Sequence, residues 1–93
     1  MVWKEEIFGP VLAIARAAAG FLARGVEPRH LRAWRQSAER EAALFEQLVL
    51  PLIRQRNPQS RQQAAALLLE LSQQGAELRA AILTSALQHH LEA

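Results

Sequence analysis

The densest group of side chains that could do chemistry is basic and lies in one stretch of the chain. Its members are Arg29, His30, Arg32 and Arg35. Such a group could contact DNA phosphates or an acidic ligand. It could equally form a solvated helix face, in which Arg35 pairs with Glu39 four residues later. We favour the solvated face, because the patch is small and isolated. His30 is then expected to cap a helix or pack against it rather than act as a base.

Glu41 is the one carboxylate in an apolar series along the second predicted helix. The other positions of the series are Leu31, Trp34, Ala38, Phe45, Leu48 and Leu52. Spacings of three and four residues place such a series on one helix face, suited to packing against another helix. A buried carboxylate needs a partner, which we expect to be Arg16, Arg24 or an arginine of a second chain. The alternative is a carboxylate that contacts a ligand.

Catalytic and metal-binding patterns find little support in this chain. It has no cysteine and no aspartate, so thiol chemistry and a Ser–His–Asp triad are both excluded. His89 and His90 are adjacent, and neighbouring side chains project about 100° apart on a helix, which does not suit one metal. We therefore predict no enzyme activity, no cofactor and no metal site.

Composition indicates one small cytoplasmic domain. The chain has 93 residues, 51% of them hydrophobic, and a formal net charge of +2, which by itself does not argue for nucleic acid. No apolar run reaches the roughly 18 to 20 residues needed to cross a bilayer. Lys4 is followed by Glu5 and Glu6, which is the wrong charge for a signal peptide.

The predicted fold is all-α: a single domain over residues 1–93 with three helices, two of them long. Gly9 and Pro10 predict a first helix over residues 10–24, preceded by a turn or arm whose Trp3 and Phe8 pack back. Gly25 suits a left-handed C-terminal cap. Pro28 then predicts a second helix over 28–55, kinked or broken near Pro51. Asn57 and Pro58 predict the start of a third over 58–90.

The third predicted helix carries more apolar surface than its neighbours could cover. At about 50 Å it would exceed the diameter of a domain this size. We therefore expect two-fold dimerisation to complete a helical bundle. The candidate interface residues are Leu67, Leu68, Leu71, Leu78 and Ile82.

The stretch from Gly25 through Arg29-His30-Leu31-Arg32, Arg40-Glu41 and Gln47 to Pro51 resembles the C-terminal region of a subgroup of MerR-type bacterial transcription regulators. The resemblance covers roughly Leu12 to Pro58. It implies a dimerisation or effector-sensing domain, with a winged helix-turn-helix that reads DNA lying upstream. It also implies that this member does not sense metals through cysteine.

The sequence interpretation is thus a homodimeric C-terminal domain of a MerR-like regulator. In this interpretation the regulator contacts DNA only through an N-terminal domain outside this sequence. Two alternatives stay open. One is a free-standing helical module that binds another protein. The other is a bundle that holds a small ligand, which a wide cavity lined by leucine and tryptophan would favour.

If the domain senses an effector, nothing in the sequence identifies it, so the effector is an open partner in this interpretation.

Overall fold

The computed structural model describes the backbone of residues 3–92 and the side chains of residues 9–92. Over that part of the chain the fold consists of three helices and no strand, which confirms the all-α prediction. The helices are α1 (Trp3–Ala23), α2 (Pro28–Arg54) and α3 (Pro58–Leu91). None of them is long and apolar enough to cross a membrane.

Helix α1 begins at Trp3, so the predicted start at Pro10 is wrong. Proline suits a first turn, but its fixed φ is also helical, so a helix can contain it at the cost of the hydrogen bond to the carbonyl four residues earlier and of crowding that carbonyl. Gly9 and Pro10 therefore lie within α1 rather than at its start. The predicted packing of Trp3 and Phe8 concerns side chains outside the described residues.

Helix α1 ends in the glycine cap that the sequence predicts. Gly25 has φ of 92°, in the left-handed region that a residue with a Cβ avoids. The N–H of Val26 donates to the carbonyl of Phe21 at 3.0 Å, and the N–H of Gly25 donates to that of Leu22 at 3.1 Å. This pair of bonds is a Schellman motif, which satisfies carbonyls that the end of a helix would leave free.

Helix α2 begins at Pro28 as predicted and continues through Pro51 to Arg54. The helix is therefore not broken at Pro51, and the predicted kink there stays a prediction. The helix ends one residue before the predicted boundary at Gln55, in a tighter turn in which the N–H of Arg56 donates to the carbonyl of Ile53 at 3.2 Å. Arg56 has φ of 54°, so a non-glycine residue takes the left-handed conformation at this end.

Helix α3 begins with the cap that Asn57 and Pro58 predict. The Asn57 side chain accepts a hydrogen bond from the N–H of Ser60 at 2.8 Å, and Pro58 occupies the first turn. The helix continues one residue past the predicted end, to Leu91. Asparagine at this position satisfies one of the N–H groups that the first turn leaves without a helical partner.

The chain divides between Arg40 and Glu41 into two compact units. The first contains α1 and the first part of α2. In it the rings of Phe21 and Trp34 pack with their centroids 4.6 Å apart and their planes tilted by 44°. The second unit contains the rest of α2 and all of α3. The single domain stays a prediction.

In the second unit the packed faces repeat every eleven residues. On α2 the buried or half-buried positions are Glu41, Phe45, Val49 and Leu52, and on α3 they include Ser60, Ala64, Leu68, Leu71 and Gly75. Eleven residues in three turns is about 3.7 residues per turn, which is close to the 3.6 of a straight helix. The spacing of the predicted series averages about 3.5 residues per turn and departs further from that value. The prediction therefore placed Leu48 on the packed face where the structure has Val49, which is fully buried.

Candidate functional site

The basic cluster of Arg29, His30, Arg32 and Arg35 lies on an exposed face of α2, in the first unit. Arg29 forms an ion pair with Glu27 at 3.2 Å. Arg35 forms one with Glu39, also at 3.2 Å, which is the pairing expected for a solvated helix face. All four of these side chains are mostly exposed, so each pair contributes little to stability.

His30 acts as a helix cap, as the sequence analysis favoured. Its Nδ1 accepts a hydrogen bond from the backbone N–H of Glu27 at 3.3 Å. The backbone N–H of His30 donates in turn to the carbonyl of Glu27 at 2.9 Å. Glu27 is the residue before the helix, so His30 reaches back to it in the manner of the third residue of a capping box.

Between α1 and the first part of α2 lies an open groove of about 650 Å³, which we call the α1–α2 groove. Its α1 wall consists of Ile14, Ala17, Ala18 and Phe21. Its α2 wall consists of Leu31, Arg32, Trp34, Arg35 and Ala38. The lining is therefore apolar except for two guanidinium groups, both on α2.

Trp34 was expected in the core, and that expectation is wrong. Its side chain contacts the Phe21 ring but is 54% exposed, because it forms part of the open groove. Sequence reasoning missed this groove. The signal was the alanines at 17, 18 and 38, which leave space where larger side chains would fill it.

Glu41, in the second unit, has an arginine partner as predicted, but the partner is Arg79 of α3. Both carboxylate oxygens of Glu41 accept from the same Arg79 nitrogen. The predicted partners were Arg16, Arg24 or an arginine of a second chain. The carboxylate is half-buried, with its side chain 26% exposed, and that of Arg79 is 59% exposed.

Gly75 allows this ion pair to form close to α3. A Cβ at Gly75 would overlap Glu41 Oε1 and would lie 3.3 Å from Cζ of Phe45. Gly75 lies in the apolar series of α3, where a larger side chain would otherwise be expected. The structure shows that the missing side chain makes room for a carboxylate and a ring from α2.

A second polar contact in this unit joins the end of α2 to the start of α3. Ser60 is only 3% exposed, and its Oγ donates to Oε1 of Gln55 at 2.6 Å. The same residue donates its N–H to Asn57. Sequence reasoning identified the asparagine cap and missed the role of Ser60, for which a serine three residues after the cap was the only signal.

The five candidate interface residues of α3 fall into two groups. Leu67, Leu68 and Leu71 are half-buried within the chain. Leu78 and Ile82 are 62% and 59% exposed. Every residue from 76 to 92 is exposed, and this part of α3 includes the further large apolar side chains Leu83, Leu87 and Leu91. We call residues 76–91 the α3 tail.

Among the described side chains, no group of three or more histidine, aspartate or glutamate residues could hold a metal ion. The rings of His89 and His90 lie with their centroids 3.9 Å apart, so they contact each other. The two rings turn towards each other although their positions lie about 100° apart around the helix, and the prediction that they hold no metal stays a prediction.

A family model described as "Rv1828-like, C-terminal domain" matches residues 8–91. The chain is 36% identical over 78 residues to the "Uncharacterized HTH-type transcriptional regulator Rv1828" of Mycobacterium tuberculosis. It has the same identity over the same length to the "Uncharacterized HTH-type transcriptional regulator Mb1859" of Mycobacterium bovis. Each match covers 84% of this chain and 30% of the relative, so the chain spans less than a third of the length of these relatives. No solved structure matches.

Proposed function

Because the chain belongs to the family of Rv1828-like C-terminal domains, we propose that it serves as the dimerisation and effector-sensing part of a MerR-like transcriptional regulator. Two relatives are named as HTH-type transcriptional regulators, which supports the regulatory role. The MerR-like assignment is supported by the resemblance of the stretch from Gly25 to Pro51. In this proposal, DNA is contacted by a helix-turn-helix outside the sequence, and the regulator acts in the cytoplasm, where a bacterial chromosome lies.

The observation that carries the dimerisation proposal is the exposed α3 tail. Leu78 and Ile82 are four residues apart and share one side of the helix. Leu83, Leu87 and Leu91 form a second row, roughly half a turn away around the helix. A helix with apolar rows on opposite sides is typical of a buried helix rather than a surface one. Exposed apolar surface of this kind marks an interaction site.

Apart from the ion pair of Arg79 with Glu41, the α3 tail lies beyond the part of α3 that α2 covers within the second unit. Buried and half-buried positions on α3 end at Gly75, next to Glu41 and Phe45 of α2. A second copy of the chain would cover the remaining rows, since two-fold homodimers are the commonest assembly of soluble proteins. The proposed interface is therefore Leu78 and Ile82 of the original candidates, extended by Leu83, Leu87 and Leu91. Leu67, Leu68 and Leu71 would contribute at its edge.

Size-exclusion chromatography with light scattering tests this proposal. At micromolar concentration we expect about 21 kDa, twice the 10.4 kDa chain mass. Ile82→Lys should shift the mass to that of a monomer, because it places a charge in an apolar interface. Gln73→Lys is the matched control on an exposed position of the same helix, and it should leave the dimer unchanged. A monomeric parent, or a dimer that persists in Ile82→Lys, would refute the proposed interface.

The free-standing interaction module remains a second candidate, favoured by the same exposed rows. Its expected molar mass differs, because such a module would be monomeric alone and would form a heavier complex only with a different protein. The light-scattering experiment separates the two.

A further inference from the structure

The α1–α2 groove has the size and lining of a small-molecule site. Its volume of about 650 Å³ falls within the range of roughly 300 to 1,000 Å³ that such sites occupy. The apolar lining includes Phe21, Leu31 and Trp34, and the charged lining residues are Arg32 and Arg35. An apolar body with a few placed polar groups is the usual composition of a ligand site.

The charge of the groove selects among possible occupants. No carboxylate lines it, whereas two guanidinium groups do. Arg35 is paired with Glu39, but the two side chains are 82% and 66% exposed, so solvent or a ligand can compete for the pair. Arg32 has no ion pair among the described side chains. A guanidinium presents a planar set of donors that matches a carboxylate.

The exposed apolar segments of the chain itself do not complement this charge. The α3 tail contains one acidic residue, Glu77, one arginine, Arg79, and two histidines, so it carries no net negative charge. From Ile7 to Val26 the sequence has no acidic residue, while Arg16 and Arg24 are basic. A second copy that docked either segment in the groove would therefore bring no net negative charge to complement Arg32 and Arg35.

We propose that the α1–α2 groove binds a small amphipathic carboxylate. Its apolar body packs against Phe21, Leu31 and Trp34, and its carboxylate accepts hydrogen bonds from the guanidinium of Arg32. Arg35 contributes a second, weaker contact by exchanging Glu39 for the ligand. The ligand class is the inference that goes beyond the proposed function, and it rests on the first unit alone. The dimerisation proposal rests on the α3 tail.

Tryptophan fluorescence of the full 93-residue chain tests the inference. The chain has two tryptophans, so Trp3→Phe leaves Trp34 as the only emitter. The probes are 4-phenylbutyrate, the neutral 4-phenylbutan-1-ol and the cationic 4-phenylbutylammonium, which share an apolar body and differ in charge. We expect the carboxylate to shift Trp34 emission to shorter wavelength and to bind about tenfold more tightly than the alcohol, as for one charge-assisted hydrogen bond to a solvent-accessible partner. The ammonium should bind most weakly.

Three variants assign the preference to its cause. Arg32→Gln should remove most of the tenfold difference between carboxylate and alcohol, while Arg35→Gln should reduce it less. Arg61→Gln is the matched control, because Arg61 is an exposed arginine of α3 in the second unit and should leave all three affinities unchanged. Circular dichroism of each variant checks that the helices are retained.

Several results would overturn the inference. They are equal binding of the three probes, a carboxylate preference that survives Arg32→Gln, and no saturable change in Trp34 emission up to the solubility of the probes. A blue shift of Trp34 emission with rising protein concentration, in step with the mass from light scattering, would assign the groove to a second copy instead. Because dimerisation is tested through mass and Ile82→Lys, failure of either proposal is recognised separately.

Discussion

Gly75→Ala tests the close approach of α2 and α3 around the Glu41–Arg79 ion pair. Alanine inside a helix is normally favoured over glycine by about 1 kcal/mol. At Gly75 the new Cβ would overlap Glu41 Oε1 and approach Cζ of Phe45 to 3.3 Å. The carboxylate is the end of a flexible side chain, so it can move aside, but it then loses its position against Arg79.

The opposing contributions have similar sizes. The Arg79 side chain is 59% exposed and that of Glu41 is 26% exposed, so the displaced ion pair accounts for no more than about 1 kcal/mol. Crowding of the Phe45 ring adds to this cost, since packed interiors resist an added methyl group. We therefore expect Gly75→Ala to leave the free energy of unfolding unchanged or to lower it by about 1 kcal/mol.

Removing the obstructing side chain should reverse the sign. In a Glu41→Ala background the Cβ at position 75 no longer meets a carboxylate, so Gly75→Ala should raise the free energy of unfolding by about 0.5 kcal/mol or more. The expected coupling between the two changes is about 1 kcal/mol. Gly20→Ala is the matched control, because a Cβ there meets only Nη1 of Arg24 at an ordinary 3.7 Å. It should stabilise the parent by about 0.5 to 1 kcal/mol.

Urea denaturation followed by circular dichroism measures all of these variants. The protein concentration is held fixed, because a dimer would make stability depend on it. If Gly75→Ala stabilises the parent as much as Gly20→Ala does, or if its effect is the same with and without Glu41, the proposed crowding at Gly75 is refuted.

Three further predictions concern the helix ends and the basic face. Arg56→Gly should raise the free energy of unfolding by about 0.5 to 1 kcal/mol, because Arg56 has a φ of 54° that glycine adopts without strain. The same change at helical Arg61 should lower it, and equal effects at the two sites in urea denaturation would contradict the argument. Asn57→Ala should lower it by about 1 kcal/mol through loss of the bond to Ser60, whereas a value matching the exposed control Gln59→Ala would show that the cap is dispensable. In gel retardation the chain alone should bind duplex DNA weakly and without sequence preference, since Arg29 and Arg35 are paired with glutamates. Sequence-specific retardation at physiological salt would show that the cluster contacts bases.

The helix ends were the most predictable part of the fold, because each depends on a few neighbouring residues. Gly25 and Asn57 take the conformations expected of them, and both satisfy backbone groups at a helix end. Proline was less informative. Pro28 and Pro58 begin helices, but Pro10 and Pro51 lie inside them. The same ring is compatible with both settings, and the local sequence does not show whether the lost hydrogen bond is tolerated.

Side-chain environments were harder to predict, because they depend on which helix lies opposite. The inward position and arginine partner of Glu41 follow from helical periodicity, but Arg79 is distant in sequence, and only the pairing of α2 with α3 brings it near. The α1–α2 groove was missed for a related reason. Alanine does not distinguish a packed helix face from an exposed one in a periodic pattern. Its small side chain leaves a cavity only where two helices face each other.

The α3 tail shows a different kind of disagreement. Leu78 and Ile82 continue the series that includes Ala64, Leu68 and Leu71, and a periodic pattern predicts the same burial for all five. The first three are buried or half-buried, while Leu78 and Ile82 are exposed. Nothing in the residue types changes at Gly75, but α2 no longer covers α3 beyond it within the second unit. The pattern therefore predicts burial in whatever assembly the protein forms, and we infer that the exposed rows of the α3 tail are covered in that assembly.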